Sequence, residues 1–476
     1  MPKFYTTTSI PYVNAKPHIG HAMEFVQTDV LARYHRLKKD DTFFLTGADE
    51  NSLKNVQAAE AKKMPVREFI DKSTKIFIDL TRALNISNDD FIRTTEKKHF
   101  AGAQKLWSLC KKEDIYKKKY KGLYCVGCEA FYLEKDLIDG KCPEHKKPLD
   151  VVEEENYFFK LSGYQKHLEK IIESDTYEIV PNSRKNEVLS FIRMGLEDFS
   201  ISRSFERAHG WGVPVPGDPK QIMYVWFDAL SNYITALDYA DNGERFKRYW
   251  PCDVHVVGKG IIRFHAVYWP AMLLSAGVDL PKKLFVHGYI NIEGEKMSKS
   301  LGNVIDPLEL AIKYGCDVVR YYLLRYVHPV QDSDFSIKKL EDAYTADLAN
   351  GLGNLVSRVA GLIEQNKVEI VIPPLTKGRL GGVDKFIENF QFDQAMKYIW
   401  EKITKLDVYV SEKEPWALAK AGKTKELAKV LNEAANGIFE VAKLLEPFLP
   451  DTAKRIQEIF SKEEIKKVAP LFPRIT

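Results

Sequence analysis

Cysteine is scarce in this chain, six in 476 residues. That is too few for a disulfide framework. No uninterrupted apolar run reaches membrane length, and Met1-Pro2-Lys3-Phe4-Tyr5 leads into strand-like sequence rather than a signal peptide. The expectation is a cytoplasmic protein with no membrane partner. The net charge is only +4, so overall basicity does not mark a nucleic-acid binder, although local patches can still meet a phosphate backbone. Internal repeats and long low-complexity tracts are also missing. With 45% hydrophobic residues, a chain of this length can bury a large core in two or three domains.

Two widely separated phosphate-handling motifs are present. His18-Ile19-Gly20-His21 follows the strand-like run Lys3–Thr8 and precedes apolar or aromatic positions at Ile19, Met23, Val26, Val30, Tyr34 and Leu37. Steps of three and four predict a helix with one buried face, and Pro17 suits its entry. A strand-turn-helix unit offers an anion the free N–H groups and positive dipole end of the helix, and Gly20 permits close approach. The second motif, Lys296-Met297-Ser298-Lys299-Ser300, lies in a glycine- and serine-rich loop whose two lysines can neutralise a developing pyrophosphate charge. Either alone is weak. Together they predict one composite site for adenylate formation.

Strand-like runs at Thr42–Thr46, Asp253–Val257 and Lys283–His287 each lead into glycine, as strands ending at ligand-facing loops do. The predicted fold is α/β, a Rossmann-like parallel sheet discontinuous in sequence. Its halves are placed at residues 1–114 and 221–334, split by an inserted module at 115–220 and followed by a helical bundle at 335–476. In the bundle, Ala395, Ile399, Ile403, Leu406 and Val410 form one apolar stripe, and Leu427, Leu431, Ala434, Ile438, Val441 and Leu445 another. Ile372-Pro373-Pro374 and Gly381-Gly382 mark loops there.

The inserted module contains Cys125-x2-Cys128-x13-Cys142-x2-His145. Two short-spaced pairs on two tight turns can complete a tetrahedron of three thiolates and an imidazole around zinc. All four positions would be filled, which makes one structural zinc per chain the reading; the alternative is four unrelated reduced side chains. Binding would stabilise the module by about 10–16 kcal/mol. Cys110, Cys252 and Cys316 are scattered and read as buried thiols. Lys117-Lys118-Lys119 and Lys121 can lean on an RNA stem or form a solvated face.

These motifs, with Tyr224-Val225-Trp226-Phe227-Asp228-Ala229, Arg263-Phe264-His265 and Glu414-Pro415-Trp416, resemble the class I aminoacyl-tRNA synthetases, and within them the bacterial-type methionyl-tRNA synthetase family with a single zinc knuckle. The resemblance covers essentially the whole chain. It implies that methionine is activated by ATP, with Mg²⁺, to methionyl-adenylate and pyrophosphate. The methionyl group then passes to the 3′ end of tRNA(Met), the initiator included. The catalytic positions carried over are His18, His21, Lys296 and Lys299; with Gly20 and Ser298 they hold ATP. The methionine site would comprise Ile10, Tyr12, Trp226, Leu230, Tyr233, Ile261 and His265, with Asp49 receiving the substrate ammonium. Such an aromatic-lined pocket suits an unbranched, polarizable thioether. Asn350, Asn354 and Arg358, four residues apart, would align on one helix face and, with Trp416 as a stacking surface, read the anticodon.

The chain departs from the family pattern in places. Asn51-Ser52 stands where His-Gly is usual, Gly260 replaces an aspartate near the active site, and Asp407 replaces a frequent asparagine. Two other readings are a sister synthetase for another amino acid and a non-catalytic tRNA-binding paralogue. The insertion is too short for the large editing domain of the aliphatic-specific enzymes, and intact phosphate motifs have no use in a pure binder. Without an appended oligonucleotide-binding domain, a monomer is expected.

Overall fold

A computed structural model describes residues 1–125, 130–132, 134, 137–143, 146–296, 304–372, 380–462 and 464–475. At its centre is a six-stranded parallel sheet. The strands are β1 (Lys3–Thr7), β2 (Asp41–Ala48), β3 (Asp90–Arg93), β4 (Glu178–Val180), β5 (Val254–Gly258) and β6 (Lys283–His287). Their spatial order is β3-β2-β1-β5-β6-β4. The predicted parallel sheet, discontinuous in sequence, is therefore present. One boundary needs correction, because β4 falls inside the 115–220 stretch expected to form a separate module. Three residues are too short a run to signal a strand. Tyr177 and Ile179 are nonetheless buried there.

Alternation along the strands sends neighbouring side chains into two cores, as a sheet covered on both faces requires. Phe4, Val256 and Phe285 join one core with helix α1 (Ile19–Leu37) and the C-terminal helices. Tyr5, Val257, Leu284 and Val286 join the other, which includes helix α2 (Lys97–Leu109), helix α3 (Val225–Leu230) and Phe159.

The lysine-rich strand Ile115–Cys125 lies antiparallel to Asp150–Phe159, with Lys119 opposite Glu155 and Lys121 opposite Glu153. Lys117 Nζ also meets Asp218 Oδ2 at 2.7 Å. The opposing strand thus supplies negative charge beside the lysine run.

Beyond the sheet come helices α4 (Cys316–Arg325), α5 (Asn354–Asn366), α6 (Phe392–Lys413), α7 (Thr424–Leu445) and α8 (Pro450–Phe460). The α7 stripe is buried at all six predicted positions, and on α6 Leu406 alone of its stripe is only half-buried. Gly381 and Gly382 open a short 3₁₀ turn, while Pro373 and Pro374 lie outside the described residues. Arg320 of α4 is fully buried where bundle and sheet meet. Its Nη1 contacts Asp29 Oδ2 of α1 at 2.7 Å, and its guanidinium donates to the carbonyls of Phe448, Leu84 and Pro447. Burial raises the Asp29 carboxyl, but the Arg320 and Arg33 guanidiniums and Ser87 outweigh it and hold the group below the ordinary value. Among the described residues, no helix is long and apolar enough to cross a membrane.

Candidate active site

The strand order reverses between β1 and β5, and in open parallel sheets the crevice beyond the strand ends at such a point receives ligands. Residues after β1, β2 and β5 and the entry of α1 converge there on a cavity of about 390 Å³. His18 is the N-cap of α1: its Nδ1 accepts the Gly20 N–H at 3.1 Å, and the His21 Nδ1 accepts the His18 N–H at 3.1 Å. A ring nitrogen that accepts carries no proton, so in both neutral rings the proton sits on Nε2. The capping box therefore turns two histidines into N–H donors at a helix N-terminus. Burial lowers His18 from 6.5 to about 4 against the opposing pull of Glu24, and burial takes His21 well below its ordinary value. Both are neutral hydrogen-bond donors at pH 7. Gly20 does not line the cavity; its N–H is used in the cap.

All eight residues assigned to the amino-acid site line this same cavity: Ile10, Tyr12, Asp49, Trp226, Leu230, Tyr233, Ile261 and His265. Asp49 is buried just beyond β2, bridged to Tyr12. The Ile261 carbonyl can only accept, so the His265 Nδ1 at 2.9 Å donates to it. His265 Nε2 is then the acceptor for the Tyr233 hydroxyl at 2.7 Å. The phenol is thereby turned onto the histidine, leaving ring carbon to face a guest. Trp226 stacks on Phe264 with ring centroids 3.7 Å apart. One wall is apolar and one end bears a carboxylate, which is the polarity of an amino acid with an apolar side chain.

The cavity also has members that motif reading passed over, among them Ser9, Asn14, Lys16 and Asn232. Ser9 is held by Glu24 of α1, whose Oε1 accepts both its N–H (2.7 Å) and its hydroxyl (2.6 Å), while Oε2 meets His287 Nε2 at 2.8 Å. The buried glutamate on the helix that begins at His18 was the available signal. The missing aspartate at 260 has a steric counterpart: a Cβ on Gly260 would lie 2.0 Å from the Tyr289 hydroxyl oxygen. The phenol occupies the room a side chain at 260 would need.

Lys296 ends a two-residue strand after the turn at Gly294, and Ser298 and Lys299 lie outside the described residues. So do Cys128 and His145 of the zinc set. Their partners Cys125 and Cys142 are buried. Cys142 sits in a tight turn, accepting the Lys146 N–H at 2.8 Å and donating to the Lys147 carbonyl at 2.9 Å. Buried thiols at a strand end and on such a turn fit a structural zinc donor set. Elsewhere among the described residues Cys316, Asp317 and Asp451 converge. That cluster reads as a helix cap, since Asp317 Oδ2 accepts the Thr452 N–H at 2.6 Å and burial pushes the Cys316 thiol up to about 12. Burial likewise raises Cys110 to about 12 and Cys252 well above its ordinary value.

At the bundle, Asn350 lies in a π-helical stretch, Tyr344–Gly353, that runs into α5, where Asn354 and Arg358 follow. The two asparagines are exposed and Arg358 is half-buried. Trp416 is the second residue of the helix opened by Pro415 and is 38% exposed. Asp407 of α6 holds Arg358.

A sheet with its crevice at the order reversal, a histidine-capped helix and an amino-acid-shaped cavity is the arrangement of an enzyme that joins an amino acid to a nucleotide. A family model described as tRNA synthetases class I (M) matches residues 4–150 and 145–360, and the chain belongs to that family. Among its relatives, the methionine–tRNA ligase of Caldanaerobacter subterraneus subsp. tengcongensis is 44% identical over 470 residues, spanning 96% of this chain and 73% of the relative. That of Brucella suis biovar 1 is 43% identical over 476 residues, spanning 96% and 92%. The crystal structure of Mycobacterium tuberculosis methionyl-tRNA synthetase bound by methionyl-adenylate superposes with a TM-score of 0.93. It is 37% identical, with 99% of this chain and 100% of that one covered.

Proposed function

We propose that the cavity at the β1/β5 crevice activates L-methionine with ATP, and that the chain then transfers the methionyl group to tRNA(Met), initiator included. The observation that carries this reading is the meeting of Asp49, the Tyr233–His265 wall and the His18–His21 helix entry in one cavity. Asp49 receives the ammonium and the apolar wall the thioether. The substrate carboxylate attacks the α-phosphorus of ATP, the bond to the bridging oxygen breaks, and pyrophosphate leaves. A terminal ribose hydroxyl of the tRNA then attacks the acyl carbon, and AMP leaves. No protein nucleophile takes part, so positioning and charge stabilisation supply the rate.

His18 and His21 donate Nε2–H to phosphate oxygens at the helix entry, where Gly20, lacking a side chain, lets the nucleotide come close. Lys296, Ser298 and Lys299 close over the departing pyrophosphate. Mg²⁺ accompanying ATP supplies further charge neutralisation. Cys125, Cys128, Cys142 and His145 hold one structural zinc. Asn350, Asn354, Arg358 and Trp416 form the anticodon surface, residues 335–476 the bundle that carries it, and residues 115–220, apart from β4, the insertion. The working form is a cytoplasmic monomer.

Pyrophosphate exchange with a panel of amino acids tests the reading. Methionine is expected to drive exchange well above leucine, isoleucine, valine and cysteine. Exchange driven by another amino acid, or none in zinc-replete protein, overturns it.

A further inference from the structure

Asp228 is 1% exposed and lies on α3 between two residues of the cavity wall, Trp226 and Leu230. Two positions along a helix turn a side chain to the far side, so Asp228 faces away from the cavity they line. Each carboxylate oxygen has its own partner there. Oδ2 accepts from Asn51 Nδ2 at 2.7 Å, and Oδ1 is 2.5 Å from His99 Nε2. His99, buried on α2, is held at its other ring nitrogen by the Thr235 hydroxyl at 2.8 Å.

Asn51 extends the chain toward the substrate. Its backbone N–H donates to Asp49 Oδ1 at 3.2 Å, and its Nδ2 also donates to the Thr94 carbonyl at 2.9 Å. Asp49 is fixed from another side by Asn55, whose Nδ2 donates to the Asp49 carbonyl at 2.9 Å. An unbroken set of buried hydrogen bonds thus links the wall that bears Trp226 and Leu230 to the carboxylate across the cavity.

We propose that Asp228 and Asn51 are the positioning residues of the amino-acid site. They hold Asp49 at a set distance from the Trp226–Leu230 wall, and this distance selects the length of side chain that fits. The proposal rests on reading the cavity as the amino-acid site. Neither residue touches substrate, so loosening them leaves the chemistry intact and blurs the fit.

The test is steady-state pyrophosphate exchange by full-length N51A, D228A, N51D and the double variant N51D/D228N, beside the parent chain. Loss of a buried hydrogen bond to a charged group predicts a KM for methionine raised about ten- to a hundredfold in N51A and D228A. The kcat should stay within about threefold and the KM for ATP unchanged, as for a loss of binding felt equally in the ground and transition states. Ethionine, one methylene longer, should gain on methionine in kcat/KM. N51D sets two carboxylates face to face. The double variant reverses donor and acceptor across the 51–228 pair but leaves a carboxylate against the Thr94 carbonyl, so it should recover part of the KM lost in N51D.

If D228A fails to fold because His99 Nε2 loses its partner, N51A and the swap still decide. Unchanged methionine KM in N51A, loss of kcat with KM constant, or a double variant no better than N51D overturns the proposal. A parent chain that exchanges no amino acid overturns the site reading instead. One that exchanges a different amino acid moves the same KM comparison to that substrate.

Discussion

Arg358 Nη2 donates to Asp407 Oδ1 at 2.6 Å, tying α5 to α6 on the face where the Asn350–Asn354–Arg358 row lies. A carboxylate beside the one cation of that row weakens its attraction for RNA phosphates. Asp407→Asn should therefore lower the KM for tRNA in aminoacylation. The pair is partly exposed, so the gain is up to about fivefold. Pyrophosphate exchange, which needs no tRNA, is the control. A raised KM would mean that Asp407 itself contacts the RNA.

Lys296→Ala should reduce the rate of adenylate formation by about two to three orders of magnitude, the usual cost of losing a donor aimed at transition-state charge. Methionine affinity should hardly change, because in the proposed reaction the lysine meets a charge that develops only as pyrophosphate leaves. Single-turnover kinetics with equilibrium dialysis separate the two. Equal losses in rate and affinity would make the lysine structural.

Acid should unfold the protein in a window set by its buried histidines. Burial takes His18 and His265 from 6.5 to about 4, and it puts His21 and His255 well below 6.5. The unfolded chain takes up these protons near 6.5, the folded chain only further down. Stability is thus full above about 6.5 and falls as pH drops toward 4, with His265 alone worth about 3 kcal/mol by linkage. Urea midpoints between pH 7.5 and 4 would show it. A flat profile would mean that the rings are solvated.

Arg320→Ala should destabilise the protein by about 3–5 kcal/mol, since it leaves Asp29 charged and buried without its partner. Replacing both Arg320 and Asp29 with apolar residues of similar volume should cost far less. Equilibrium urea unfolding of the single and double variants makes the comparison.

Metal analysis of the purified chain should find one zinc, lost on Cys142→Ser. A chelator should shift the near-ultraviolet spectrum of the 115–220 region, where Tyr120 and Tyr124 report, before it affects helix content. Stoichiometric retention of zinc after that substitution would place the metal elsewhere.

Much of the sheet was legible because β1, β2, β5 and β6 are runs rich in aromatic, β-branched and apolar residues that end at glycine or at the motif loops. The eight positions proposed for the amino-acid site were named through the family resemblance, and they come together in one cavity. What stayed hidden depends on pairings between segments far apart in sequence. Glu178–Val180 is too short to signal a strand and is recruited only by pairing with Lys283–Phe285. Asp228 and His99 are ordinary polar letters until α3 and α2 pack, and the ring tautomers of His18, His21 and His265 follow from which atoms accept. The π-helical turn around Asn350 has no clear sequence mark either, because the same residues would suit an α-helix.

The Arg320 junction makes one unit of sheet and bundle. Sheet and bundle share one core across that guanidinium, so a change of packing on one side is felt on the other. Loosening that junction should therefore disturb the cavity and the bundle together.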